Sequence, residues 1–291
     1  MSVSDNKATG AGAPSSAVWT SVKQLGQVRE VNVLVAMLFV GALISLYTPY
    51  FLTTNSLMGV FRAFSLTAIM CIGMVLVIIT GGIDLSVGSA MGLASLITAL
   101  GFDAGYSEAI SIAAGIAVGV SLGLVNGLLI TAIGLPPFIA TLGTLSIGRG
   151  FIYMITHGVP VTPTTPDSFA VLGQGYVGRV PVPVVIMLVL MVIFALIMRR
   201  TRFGRHVYAT GGNAHAARLS GVETQRVKLA VHVVSSTIAS LAGIIGFSCY
   251  LSAEPVGMER RAEPRRGAGL AHCLAGITKR IGVGFEGGIN G

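Results

Sequence analysis

The stretch VPVPVVIMLVLMVIFALIM fills residues 180–198, and Arg199 and Arg200 follow it at once. Its 19 residues carry no charged side chain. At 1.5 Å per residue a helix of that length covers about 28 Å, close to the ~30 Å hydrocarbon core of a bilayer. The paired arginines fit the membrane face where basic residues collect. Comparable apolar runs lie outward from it, at about 31–47, 57–80, 85–100, 109–133, 137–155 and 229–250. In lipid each span must pair its own backbone groups, which helices do internally. Strands of a membrane barrel would alternate polar and apolar residues, and these runs do not. The sequence therefore predicts an all-α, polytopic transmembrane helical bundle of about seven spans.

Composition agrees. The 291 residues are 53% hydrophobic and only 10% charged, with a mean hydropathy of +0.82. A soluble domain carries roughly 25% charged residues to keep its surface wet. The net charge of +8 does not point to nucleic acid, because no basic groove interleaved with aromatics is present. Cys71 and Cys249 fall inside apolar runs and Cys273 stands alone. No CxxC spacing occurs, so neither a disulfide framework nor a metal site is indicated.

Residues 1–29 are Gly/Ala/Ser-rich and lack the apolar core and cleavage site of a signal peptide. They read as a short disordered cytoplasmic tail ahead of a transmembrane domain over 30–251. Pro49 ends the first span, with Tyr47, Tyr50 and Phe51 as an interfacial aromatic cluster. Residues 199–228 carry Arg199, Arg200, Arg202, Arg205, Arg218, Arg226 and Lys228 against Glu223 alone. That asymmetry places this loop in the cytoplasm and the polar loop 157–179 outside. Residues 252–291 hold ten charged side chains and no run of spanning length. They form a basic tail on the side where the span count would put the exterior.

No catalytic constellation is present: GxxxxGK[ST], HExxH and GxSxG are all missing. The spans offer almost no acids for a proton relay or a protease. Passage of a solute is the function left, and no cofactor is implied. Three stretches carry the remaining polar chemistry. In GGIDLSVGS, 81–89, Asp84 interrupts two apolar runs. It reads as the N-cap of the third span or as part of a solute path, since a carboxylate at membrane depth costs roughly 2.5–3.5 kcal/mol. In NGLLITAIGLPPFIATLGTLSIGRG, 126–150, the prolines and glycines read as a broken helical hairpin. There Asn126, Thr141 and Thr144 either pack helices together or offer hydrogen bonds to a polar solute, and Arg149 either snorkels or faces a channel. In TRFGRHVYATGGNAHAARLSGV, 201–222, Asn213 is a good N-cap, 214–219 favour helix, and Gly221 is a good stop. That short helix reads as a docking element for a cytoplasmic partner, or else as a loop helix resting on lipid headgroups, for which it is short and weakly amphipathic.

Taken together, in their order and spacing over roughly 30–255, these three stretches resemble the membrane permeases of bacterial ribose-type sugar ABC importers. The resemblance implies a multi-pass subunit of the bacterial cytoplasmic (inner) membrane that is not itself an enzyme. It implies a second permease subunit, a cytoplasmic ABC ATPase and a periplasmic or extracellular sugar-binding protein. Such importers couple permease to ATPase through a short cytoplasmic helix, here about 214–219. The residues carried over to that role are Gly212, Asn213, His215, Ala216, Ala217, Arg218 and Gly221. The wider class often reads Glu-Ala-Ala-x-x-x-Gly there, and His215 stands in place of the acid. Such permeases continue to about ten spans, whereas this sequence turns basic after Pro255. A shifted reading frame near Pro255 would explain that, and translating the downstream DNA in the other frames tests it. An ion-coupled secondary transporter would need acids or repeated broken helices, and an assembly subunit would need no solute path.

Overall fold

The computed structural model describes residues 29–48 and 52–253. The N-terminal tail, Pro49, Tyr50, Phe51, Cys273 and the basic tail lie outside the described residues. The chain divides into two compact units, residues 1–61 and 62–291. In the first, α1 (Arg29–Tyr47) exposes most of its described apolar side chains, among them Met37, Phe39 and Leu46. The helix α2 (Thr54–Ile79) begins there and continues through the second unit.

The second unit then carries α3 (Val87–Asp103), α4 (Glu108–Thr131) and α5 (Pro137–Thr156). A short helix α6 (Asp167–Gln174) and a hairpin, β1 (Tyr176–Val177) with β2 (Val180–Pro181), follow. Next come α7 (Val182–Arg200), α8 (Arg202–Gly212), α9 (Ala214–Leu219) and α10 (Thr224–Tyr250). Five helices, α2, α4, α5, α7 and α10, are long and apolar enough to cross a membrane among the described residues. At 17 residues α3 is shorter, about 25 Å. Non-helical backbone at 82–85 precedes it.

The fold is organised around α10, which is buried over 67% of its apolar window, against 6% for α7. The reason lies in α4. Gly115, Gly119, Gly123 and Gly127 recur every fourth residue, so they share one face. Gly119, Gly123 and Gly127 face α10, and Gly115 lies against Thr98 and Ala94 of α3: a β-carbon at Gly123 would sit 2.5 Å from the Cα of Val233, and one at Gly127 would sit 3.1 Å from the Cα of Leu229. Without side chains the two backbones meet directly, which is how membrane helices gain packing when lipid supplies no hydrophobic drive. This stripe was not singled out in the sequence, where only Gly127 was noted beside Asn126.

The two polar loops hold more structure than their composition suggested. In the loop 157–179, Phe169 of α6 is fully buried, its ring 4.8 Å from Phe102 and 5.2 Å from Phe247. Gly173 donates its N–H to Ser248 Oγ at 2.8 Å, and Val161 pairs with Ala253. The loop therefore lies packed across the C-terminal ends of α3 and α10. In the basic loop, Thr201 caps α8 by accepting from the Gly204 N–H. Gly211 lies against the Ile79 backbone at the end of α2, so the pair 211–212 continues this helix rather than ending it.

Candidate functional site

Four sequence candidates meet in one buried cluster. After α2 ends, Gly81 adopts φ +78°, a left-handed turn glycine tolerates well. The chain then runs without regular secondary structure through 82–85 to Ser86 before α3 starts at Val87. Asp84 sits inside this break and is fully buried. Its Oδ1 accepts from the Ser86 N–H at 2.9 Å and from Ser86 Oγ at 2.6 Å. Its Oδ2 accepts from Ser235 Oγ of α10 at 3.1 Å. The N-cap reading of Asp84 is thereby corrected. Asp84 lies two residues too early to cap α3, and its carboxyl group holds the non-helical turn and ties it to α10.

The cluster continues into two more helices. Asn126 Nδ2 of α4 donates to Ser86 Oγ at 2.7 Å. Thr144 Oγ1 of α5 donates to Asn126 Oδ1 at 2.8 Å. Thr141 Oγ1 lies 3.2 Å from the Ile83 carbonyl and 2.8 Å from that of Pro137. Ser86, Asn126, Thr141, Thr144 and Ser235 are all buried. One chain of bonds thus joins the break, α4, α5 and α10, five residues before the C-terminal end of α4, about 8 Å from it. The sequence reading missed Ser86 and Ser235. Nothing local distinguishes Ser235 from the neighbouring serines and threonines of α10, because its partner lies 151 residues away.

Arg149 does not join this cluster. The buried stripe of α5 is Ala140, Thr141, Thr144, Gly148 and Ile152, and Arg149 is exposed beside Ser146 and Gly150. The helix thus has one face in the bundle and an opposite face that is free in the single chain.

The coupling segment forms a third arrangement. Asn213 Oδ1 accepts from the His215 and Ala216 N–H groups at 3.0 and 2.9 Å, as its N-cap reading requires. Gly221 has φ +86° just past the helix. Gly212, His215, Ala216 and Arg218 are exposed, whereas Ala217 is buried and seats α9 on its neighbours. Arg218 Nε donates to Thr224 Oγ1 at 3.2 Å, linking α9 to the first residue of α10. Leu219, unnoticed in the sequence, is 80% exposed on α9. Four residues separate α9 from α10, and this bond crosses the gap.

The family described as branched-chain amino acid transport system / permease component matches residues 56–264. The ribose import permease protein RbsC of Bacillus subtilis is 37% identical over 235 residues, covering 80% of this chain and 73% of the relative. RbsC of Haemophilus influenzae is 35% identical over 240 residues, covering 81% and 74%. The L-arabinose transport system permease protein AraH of Escherichia coli is 33% identical over 284 residues, covering 97% and 81%. No solved structure matches.

Proposed function

The chain belongs to the branched-chain amino acid transport system / permease component family, and from that premise we propose how it works. It is the permease subunit of an ATP-driven importer in the bacterial cytoplasmic membrane and forms the path for a small sugar. It is a transport component, and ATP hydrolysis takes place in a separate cytoplasmic subunit. An external binding protein delivers the sugar, and a second permease subunit completes the path. The observation that carries this reading is α9, a capped helix displayed on a basic loop and tied to the bundle's central helix through Arg218 and Thr224. The ribose and arabinose permeases among its relatives support the substrate class.

In this mechanism ATPase closure displaces α9, and α10 moves with it. Because Ser235 holds Asp84, the break at 82–85 moves with α10. Asn126 bonds Thr144 directly and reaches Asp84 through Ser86, while Thr141 donates to the backbone of the break at Ile83; all four are buried, so their task is to hold that hinge. The exposed face of α5, with Ser146 and Arg149, lines the solute path. Such a path must bind a sugar weakly, because a tight site would trap it. Arg149→Leu is expected to leave unfolding unchanged within about 0.5 kcal/mol, as exposed substitutions usually do. The same variant should lower sugar uptake in reconstituted vesicles by about tenfold.

Co-purification with the ATPase subunit tests the docking assignment. Leu219→Glu places a charge on an exposed side chain of α9 and breaks no bond inside the fold. The variant is expected to fold like the wild type and to retain at least tenfold less ATPase. Equal retention by both would remove α9 from the interface.

A further inference from the structure

The helices α2 and α7 leave between them an apolar groove of about 500 Å³. Phe64 and Cys71 of α2 wall one side, and Met191, Ala195 and Met198 of α7 wall the other. On α2 the lining runs from Phe64 to Ile79, about 22 Å along the helix. That exceeds the ~15 Å half-thickness of a hydrocarbon core. The groove reaches the C-terminal ends of both helices, of which α7 ends on Arg199 and Arg200, and Tyr208 of α8, half exposed, also lines it there.

Beside this end stand Arg199, Arg200, Arg202 and Arg205, all exposed. Residues 199–212 contain no acid. None of the four arginines forms an ion pair among the described residues, where Glu223 is taken by Arg226 at 2.7 Å. Arg205 precedes Tyr208 by three residues, so the two share a face of α8. A topological bias toward cytoplasmic cations explains the sign of these charges. It does not explain their convergence on the mouth of an apolar groove.

We propose that this groove and its arginine rim bind one anionic phospholipid of the cytoplasmic leaflet. An acyl chain lies along α2 and α7, and the phosphate is held by Arg202 and Arg205. A neutral lipid would satisfy the groove alone, whereas an anionic headgroup satisfies both halves of the site. Guanidinium groups pair with phosphate oxygens through charge-assisted bonds, and a basic side chain near a membrane surface strengthens anionic lipid binding roughly fivefold. The inference rests on membrane placement and not on the transport cycle, so it can fail while the permease assignment stands.

The test is native mass spectrometry of the full chain in mild detergent with added phosphatidylglycerol or phosphatidylcholine. The wild type is compared with Arg202→Gln/Arg205→Gln and with Ala195→Trp, which fills the groove from an exposed position. The wild type should retain phosphatidylglycerol in preference to phosphatidylcholine. The double variant should retain it about 25-fold less, two arginines at roughly fivefold each, and Ala195→Trp should lose it as well. Cys71, exposed in the groove wall, should react with a lipid-soluble maleimide in delipidated protein and be protected by phosphatidylglycerol. Equal retention of the two lipids would overturn the proposal. So would loss in the arginine variant but not in Ala195→Trp, which would mean a diffuse headgroup layer. Protection of Cys71 without any lipid would mean that protein fills the groove, and would overturn it too.

Discussion

Asp84→Ala is expected to destabilise the purified chain by about 3 kcal/mol and to abolish uptake in reconstituted vesicles. The substitution leaves three donors without their acceptor: the Ser86 N–H, Ser86 Oγ and Ser235 Oγ. A buried donor left unsatisfied costs ~1–3 kcal/mol. At the low end of that range, three donors left without an acceptor give about 3 kcal/mol. Asp84→Asn separates geometry from charge. It keeps one oxygen for Ser86 and turns an amide toward Ser235, whose hydroxyl can accept. Its cost should be about 1 kcal/mol, one weakened bond in place of three lost ones. Unfolding in mixed micelles, followed by far-ultraviolet circular dichroism, measures both. Equal losses for Ala and Asn would mean that the charge matters and the bonding pattern does not.

Gly123→Ala should lower stability by about 2 kcal/mol, and Gly143→Ala should not lower it at all. At Gly123 the added carbon would lie 2.5 Å from the Cα of Val233 and 2.8 Å from the His232 carbonyl oxygen. Both are backbone atoms, so relief requires α4 and α10 to separate, and overpacking of this kind costs typically 1–3 kcal/mol. At Gly143 nothing lies within 4 Å. There alanine gains up to ~1 kcal/mol of helix propensity. The two variants thus carry opposite signs for the same chemical change. Helical content against denaturing detergent reads the difference, and a neutral Gly123→Ala would mean that the α4–α10 contact is looser than its geometry implies.

Much of the architecture was legible because lipid imposes a one-dimensional rule. A run such as 180–198 is helical wherever it packs, since its backbone has no other partner. Gly81, Pro136 and Pro137 mark breaks through their own backbone chemistry. Asn213 caps the next turn through bonds two and three residues away. For the same reason the short helix at 214–219 was readable to the residue. Local chemistry misled at Asp84, where a cap reading gave way to bonds with Ser86 and Ser235.

The all-helical membrane class, the short capped helix at 214–219 and the polar residues that interrupt the apolar runs were legible in the sequence alone. Each of these depends on neighbours within a few residues or on summed transfer energies. Only the tertiary structure decided what those polar residues do. It brought Asp84 to Ser235 across 151 positions and Asn126 to Ser86 across 40, and it turned Arg149 away from them. It also turned every fourth residue of α4 from Gly119 to Gly127 into the seat of α10. Such contacts follow from which helix faces meet, and facing is a property of the packed bundle that no local window of sequence contains.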